Sequence, residues 1–361
     1  VMIVSAVLGF VLLGLVLLLA LVLPSVTSNT IPFGVRIPSR YAADPVITGQ
    51  AHLYRRRVLL CGGIIAVASM GSVAVTGQPL LLPLSVLVLV ATWYGCFFLA
   101  HQEIRAAKIA GGWFEGLHQG IAVDTELRTN PPRFPWLWLA PAAVITAATA
   151  VIGILMYPSM PQTLAVHFGA NGVPNRMEAK SVGSAFSLVF LQLGLTAFLA
   201  GIAAAIVRSR PDLDPARPMG SSRWARHYMS LGAKALLGLV AMIDLGLLGS
   251  SLLMWTGTVT RWAPLVIVIP VLASVAATVA VLARNNRDRS ENGEDTGLTH
   301  RDDDRYWRGG LIYINREDPA LLVPRRFGIG WTLNFGNPRT AMLLAGVIAL
   351  TGLVIALRFA A

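Results

Sequence analysis

The chain reads as an all-α polytopic membrane protein with about eight transmembrane helices, both termini outside, and a small β-rich cytoplasmic element before the last helix. Three observations predict this. Of 361 residues, 55% are hydrophobic and 13% charged, with a mean hydropathy of +0.64, whereas soluble domains carry about 25% charged residues. Apolar runs recur at the length of about 20 residues that spans a bilayer. Lys and Arg alternate between the segments joining those runs: 24 fall in 25–57, 101–135, 208–230 and 284–340, against four in 78–79, 157–181, 255–261 and the C-terminal tail. The positive-inside rule assigns the basic set to the cytoplasm and turns 157–181 outward.

The spans fall at 2–24, 58–77, 80–100, 136–156, 182–207, 231–254, 262–283 and 341–358. The first has no basic n-region and no A-x-A site, and its apolar run exceeds the about 7–15 residues of a signal-peptide core, so a retained span is expected. Residues 1–135 then form an N-terminal three-helix membrane segment with basic cytoplasmic loops. Residues 136–207 form a helix–loop–helix unit with the outward loop 157–181, and 208–283 a cytoplasmic loop and a two-helix segment. Trp93, Tyr94, Trp136, Trp138, Trp255 and Trp262 lie near span ends, where amphipathic rings sit at headgroup level. Arg55, Arg56 and Arg57 abut the second span and are placed to meet anionic membrane lipids. Cys61 and Cys96 both sit in apolar runs and suggest neither a disulfide nor a zinc site.

Between the last two spans the chain changes character twice. The stretch 284–305 is charged, rich in Asn and Gly and nearly free of apolar residues, which predicts a disordered linker. Residues 306–340 alternate short apolar runs (Leu311 to Ile314, Leu321 to Val323) with turn residues and with Gly328, Gly330 and Gly336 among Phe327, Trp331 and Phe335. That pattern predicts a small β-rich element pressed to the membrane face, followed by the final helix in 341–361. The earlier segment "PFGVRIP" loosely echoes "RFGIGWTLNFGNP" in its Phe-Gly-apolar turn.

Chemistry-bearing motifs are sparse. No P-loop, H-E-x-x-H helix or G-x-S-x-G elbow occurs. His101, Glu103, Glu115 and His118 share one predicted cytoplasmic loop, but their spacing matches no familiar metal site, and a solvated loop helix explains them more simply. No catalytic residue, cofactor or metal is expected, the chain is not expected to be an enzyme, and no direct nucleic-acid binding is expected, because excess Arg marks the cytoplasmic face. Within the membrane Asp244 stands out near the middle of the sixth span, where a charge costs at least about 2.5–3.5 kcal/mol. Gln192 in the fifth span is its expected hydrogen-bond partner.

The outward loop, "YPSMPQTLAVHFGANGVPNRMEAK", carries the most specific pattern: Pro161, His167-Phe168, Gly172, Asn175 and Lys180 at fixed spacing. It resembles the outer-loop domain of SdpI-type bacteriocin-immunity membrane proteins, a bacterial family; Gly169 and Met177 stand where that family has Asp or Asn and an aromatic residue. The stretch 306–340 looks like an uncharacterised module of actinobacterial membrane proteins, and "PFGVRIP" resembles a cytoplasmic stretch of SdpI relatives. The resemblance implies a multi-pass protein of the bacterial plasma membrane, responding to a toxic substance. It would bind an extracellular peptide or envelope ligand through His167, Phe168, Gly172, Asn175 and Lys180, with a regulator on the cytoplasmic side. The competing readings are a transporter of a small or lipophilic substrate and a membrane-embedded enzyme acting on lipid or envelope substrates.

Overall fold

A computed structural model of the chain describes residues 2–76, 78, 81–122, 127, 129–168, 173–260, 262–287, 296–328 and 330–360. The first helices are α1 (Met2–Val26), α2 (Pro45–Thr76) and α3 (Leu81–Ala110), and they pack against one another. Tyr54 of α2 is fully buried and donates its hydroxyl to the Ala20 carbonyl of α1 at 2.7 Å. After a short strand β1 (Gln119–Gly120) comes α4 (Trp136–Met156). The strands β2 (Thr163–Phe168) and β3 (Pro174–Ala179) follow, then the single turn α5 (Val182–Ala185), α6 (Ser187–Ile206), α7 (Pro218–Thr256) and α8 (Ala263–Arg287). Helix α7 is the axis of this second group and packs against α4, α6 and α8; α8 also touches α1.

Among the described residues, seven helices are long and apolar enough to cross a membrane: α1 to α4 and α6 to α8. The predicted eighth span, 341–358, lies within α9 (Pro338–Ala360), whose side chains are described as far as Ala349. Helix ends depart from the sequence reading. Asp44 caps α2, its carboxylate accepting the Val46 N–H at 2.9 Å, and Pro45 takes the first helical position. The helix therefore starts well before the apolar run does. Helix α3 likewise continues through the predicted loop to Ala110. Helix α7 starts at Pro218 and has 39 residues, about 58 Å at 1.5 Å per residue, nearly twice a bilayer core. It ends on Gly257, whose φ of +65° is the left-handed cap that glycine adopts without a Cβ clash.

The β-rich element exists as small hairpins. Strand β4 (Thr299–His300) runs parallel to β1. Strands β5 (Trp307–Arg308) and β6 (Ile312–Tyr313) pair antiparallel, as do β7 (Leu322–Pro324) and β8 (Trp331–Leu333). A bridge from Tyr313 to Asn334 joins the two hairpins. The buried Asn334 side chain donates to the carbonyls of Asn315 and Asp318 at 2.8 and 3.0 Å. Tyr313 donates to Asp318 at 3.0 Å, and burial beside that carboxylate pushes its phenol up to about 12.

The two Phe-Gly segments that echo each other in sequence meet in space. Phe33 and Phe327 stack at 6.0 Å, Phe97 of α3 lies 4.3 Å from Phe327, and Tyr54 meets Phe33 edge-on at 5.1 Å. Phe33 has a φ of +46°, unfavourable for a side chain of its bulk. Gly34 beside it lies so close to Gly310 that a Cβ would come within 2.7 Å of the Gly310 carbonyl oxygen.

At both ends of 284–305 the described residues depart from the expectation of a disordered linker. Residues 284–287 continue α8, 288–295 lie outside the described residues, and 296–305 are folded. Thr296 bonds the carbonyls of Ala216 and Pro215, Thr299 that of His118, and Arg301 that of Gly120. The run Asp302-Asp303-Asp304 then reaches three buried cations. Arg36 donates to Asp303 at 2.6 Å and Asp212 at 2.7 Å; Lys108 donates to Asp302 at 2.8 Å and Asp304 at 2.6 Å; Arg326 pairs with Asp303 and Asp304. Composition argued for disorder because the run has little apolar surface to bury. Its stabilisation comes instead from charge-assisted hydrogen bonds to cations that other segments supply.

Burial acts to lower the Arg36 guanidinium, but Asp212 and Asp303 more than offset it and hold it above its ordinary value. For Asp304 burial acts to raise the carboxyl, yet Arg326 and Lys108 outweigh that and hold it below the usual carboxylate range. These contacts gather Arg36, Lys108, Asp212, the Asp302–Asp304 run and Arg326, drawn from all four basic segments, at one end of the molecule. At the other end the hairpin meets the α7–α8 connection, with Gly257 against Pro161.

Candidate functional site

The hairpin β2–β3 links α4 to α6 and carries the sequence-predicted site. Its strands pair Thr163 with Ala179, Leu164 with Glu178, Ala165 with Met177, His167 with Arg176 and Phe168 with Pro174. The register shifts on both sides of His167; such irregularities bend a strand and re-aim a side chain. The base of the hairpin is seated in apolar packing. Leu164 is fully buried in a cluster with Met160, Ala185, Val189, Met254 and Trp255, and the Trp255 indole N–H donates to the Ala185 carbonyl at 2.7 Å. Ser181 and Ser184 form a reciprocal capping box that starts α5 directly after the hairpin.

The tip differs. His167 and Asn175 are exposed, and His167 Nδ1 lies 2.5 Å from Asn175 Oδ1. An amide oxygen only accepts, so in this pairing Nδ1 is the donor. Val173 and Met177, each two residues from Asn175, expose 49% and 53% of their surface. Arg176 and Glu178 form an exposed pair at 2.7 Å. Lys180 is placed differently from Asn175. It turns back on its own chain, its Nζ 3.4 and 3.3 Å from the carbonyls of Tyr157 and Met160 and 5.3 Å from the Tyr157 ring centroid. Its position is that of a clamp on the return strand. Gly172 lies outside the described residues; Phe168 is described in its backbone alone, as the last residue of β2.

A second polar group lies inside the second bundle. Asp244 and Gln192 are both fully buried. Gln192 Nε2 donates to the main-chain carbonyl of Asp244 at 2.8 Å and to Thr149 Oγ1 at 3.2 Å, so the expected side-chain-to-side-chain bond is replaced by one to the backbone. The carboxylate takes its donors from hydroxyls: Thr196 at 2.8 Å and Thr146 at 3.4 Å, both to Oδ2. Thr146, Thr149 and Thr196 went unread in the sequence. The available signal was spacing, since Thr146/Thr149 and Gln192/Thr196 stand three and four residues apart on apolar helices and so share a face.

The loop residues His101, Glu103, Glu115 and His118 do not converge. His101 is buried on α3, with Nδ1 2.9 Å from the Phe33 carbonyl oxygen. Among the described residues no group of three or more His, Cys, Asp or Glu side chains is placed to share a metal ion.

Two stretches match known families. Residues 144–193, from within α4 through the hairpin into α6, match a domain of unknown function, DUF1648, which is found in SdpI-like proteins. Residues 316–340, from the turn before β7 to the start of α9, match a family of unknown function, DUF5808. No curated protein and no solved structure matches the chain.

Proposed function

We propose that this integral membrane protein is a receptor-like immunity or signalling protein of the bacterial plasma membrane. In this reading it has eight spans and both termini outside. It binds an extracellular peptide or envelope ligand at the tip of β2–β3, and offers the face built from its four basic segments to a cytoplasmic regulator. Arg55 and Arg56, exposed on α2, contact anionic lipid headgroups on that side. The observation that carries the reading is the construction of the hairpin: it is anchored at its base by Trp255, Leu164 and Lys180, while further along its strands His167 and Asn175 are exposed and bonded to each other. A linker between two spans needs no such seating, whereas a ligand site gains affinity from groups held in place before binding. No turnover is expected. The transporter reading has one observation behind it, the buried polar group around Asp244.

The test is a deletion strain challenged with secreted peptide toxins and envelope stress, complemented by the wild-type chain or by His167→Ala. Protection by the wild type and its loss with His167→Ala, at equal protein level, are expected. A deletion strain that responds normally to every agent removes the immunity reading. In the same cells Val173→Cys should react with a membrane-impermeant maleimide before lysis; labelling only after lysis inverts the orientation.

A further inference from the structure

The polar group inside the second bundle has more acceptors than donors. Asp244 Oδ2 is satisfied by the Thr196 and Thr146 hydroxyls, but Asp244 Oδ1 and Gln192 Oε1 are both buried with no hydrogen-bond partner among the described residues. Turning the Gln192 amide over does not resolve this, because its Nε2 is held by two acceptors, the Asp244 carbonyl and Thr149 Oγ1. Buried polar groups are paired in the large majority of structures, and each exception calls for an explanation.

Charge sharpens the point. Helices α4 and α6, which face Asp244, contain no Lys, Arg, His, Asp or Glu anywhere in their length, and α8 has none before Arg284. On α7 itself the nearest titratable or charged side chain is Lys234, about 15 Å along the helix axis. Asp244 lies about 18 Å along the axis from the end of α7 at Thr256 and is fully buried, so an uncompensated charge there is costly.

We propose that Asp244 and Gln192, with the Thr146 and Thr196 hydroxyls, form an exchangeable site for one small monovalent cation, H⁺ or Na⁺, in the middle of the membrane. A proton on Oδ1 turns one of the two unpaired acceptors into a donor. A sodium ion meets the same need, taking hard oxygen ligands from the carboxylate, the amide and the hydroxyls. Either occupant neutralises the carboxylate and draws α4, α6 and α7 together. Helices α4 and α6 carry the hairpin and α7 packs beneath it through Met254 and Trp255, so occupancy is coupled to the packing under it. The proposal is independent of what the hairpin binds.

The experiment uses the full chain in lipid nanodiscs. Thermal unfolding is followed over about pH 5–9, and separately with NaCl replaced by choline chloride at constant ionic strength. Infrared spectra of the same samples report the protonated-carboxyl band, assigned by its absence in Asp244→Asn. If the occupant is a proton, that band titrates within the range and Tm falls as it disappears. If it is sodium, Tm rises by about 2–4 °C in Na⁺ over choline. Asp244→Asn abolishes either response, and Gln192→Leu shifts its midpoint to higher cation concentration. Should Asp244→Asn fail to fold, the band is assigned instead by its frequency shift in Gln192→Leu, and the Na⁺ dependence of Tm in the wild type and Gln192→Leu remains readable. A band present at every pH and unmoved by Na⁺, or no band together with no Na⁺ effect, overturns the proposal and leaves Asp244 as a fixed structural group.

Discussion

The two ends of the bundle use polar side chains in opposite ways. At the basic end they are inside: Arg36, Lys108 and Arg326 expose 4%, 6% and 2% of their surface, and each faces two carboxylates. At the hairpin end they are outside: His167 and Asn175 meet each other in solvent, and the Arg176–Glu178 pair is 47% and 38% exposed. Removing one member of a buried pair costs about 3–5 kcal/mol, because the partner charge is stranded, whereas an exposed pair is worth about 0.2–1 kcal/mol. A charge at the basic end is therefore a fastener between distant segments of the chain. A polar group at the hairpin tip contributes little to stability and is available for something else.

Arg326→Met should break that contrast most severely. Arg326 bonds Asp303, Asp304 and the Gly34 carbonyl, and its guanidinium lies 4.9 Å from the Trp307 ring centroid. The methionine keeps much of the volume and removes all of those donors. A loss of about 3 kcal/mol or more is expected, read as a lowered unfolding midpoint in detergent and as protease cleavage within 296–340. If Arg326→Met is as silent as an exposed substitution, within about 0.5 kcal/mol, the two ends do not differ as their burial implies.

Acid separates the ends next. Asp304 is held below its ordinary range by Arg326 and Lys108 against the opposing effect of burial. A carboxyl whose folded value is depressed adds stability that is fully present above its unfolded value, about 3.9, and lost as pH falls through the folded one. The 296–340 region should thus stay docked down to about pH 4 and loosen only below it, as followed by tryptophan fluorescence or proteolysis. Release already complete at about pH 6 would show that the pairing of Asp304 with Arg326 and Lys108 does not hold the region in place.

What could be read in the sequence follows the same division. Hydropathy is a local property, so seven of the spans were legible, but helical turns outside the hydrocarbon carry no hydropathy signal. That is why the ends of α2, α3 and α7 were misplaced, although Asp44-Pro45 is a cap followed by a first-turn proline. The acidic triplet was misread because its stabilisation is non-local: Asp303 and Arg36 lie 267 residues apart. The polar loop was legible as a candidate site, and Asn171-Gly172 between two strand-like runs is a hairpin signal in the sequence itself. The division of labour within the loop was not legible. The family resemblance put Lys180 and Asn175 in one site, while the structure seats the lysine against the carbonyls of Tyr157 and Met160 and leaves the asparagine exposed beside His167.

The smallest expected effect tests that division. Trp255→Phe keeps an aromatic ring in the cluster under the hairpin and deletes one donor, the indole N–H that bonds the Ala185 carbonyl. A buried carbonyl left without its partner predicts a loss of about 1 kcal/mol. Because Trp255 meets the hairpin at its base, the loss should appear as faster amide exchange in β2, β3 and α5, with 296–340 unchanged. His167 and Asn175 are bonded to each other across the strands, so their contact should survive this loosening while the hairpin as a whole becomes less well held. If base and tip act together in ligand binding, protection by the Trp255→Phe chain should weaken without vanishing. Unchanged protection alongside faster exchange would show that the tip functions without a rigid seat, and the anchoring would then serve folding alone.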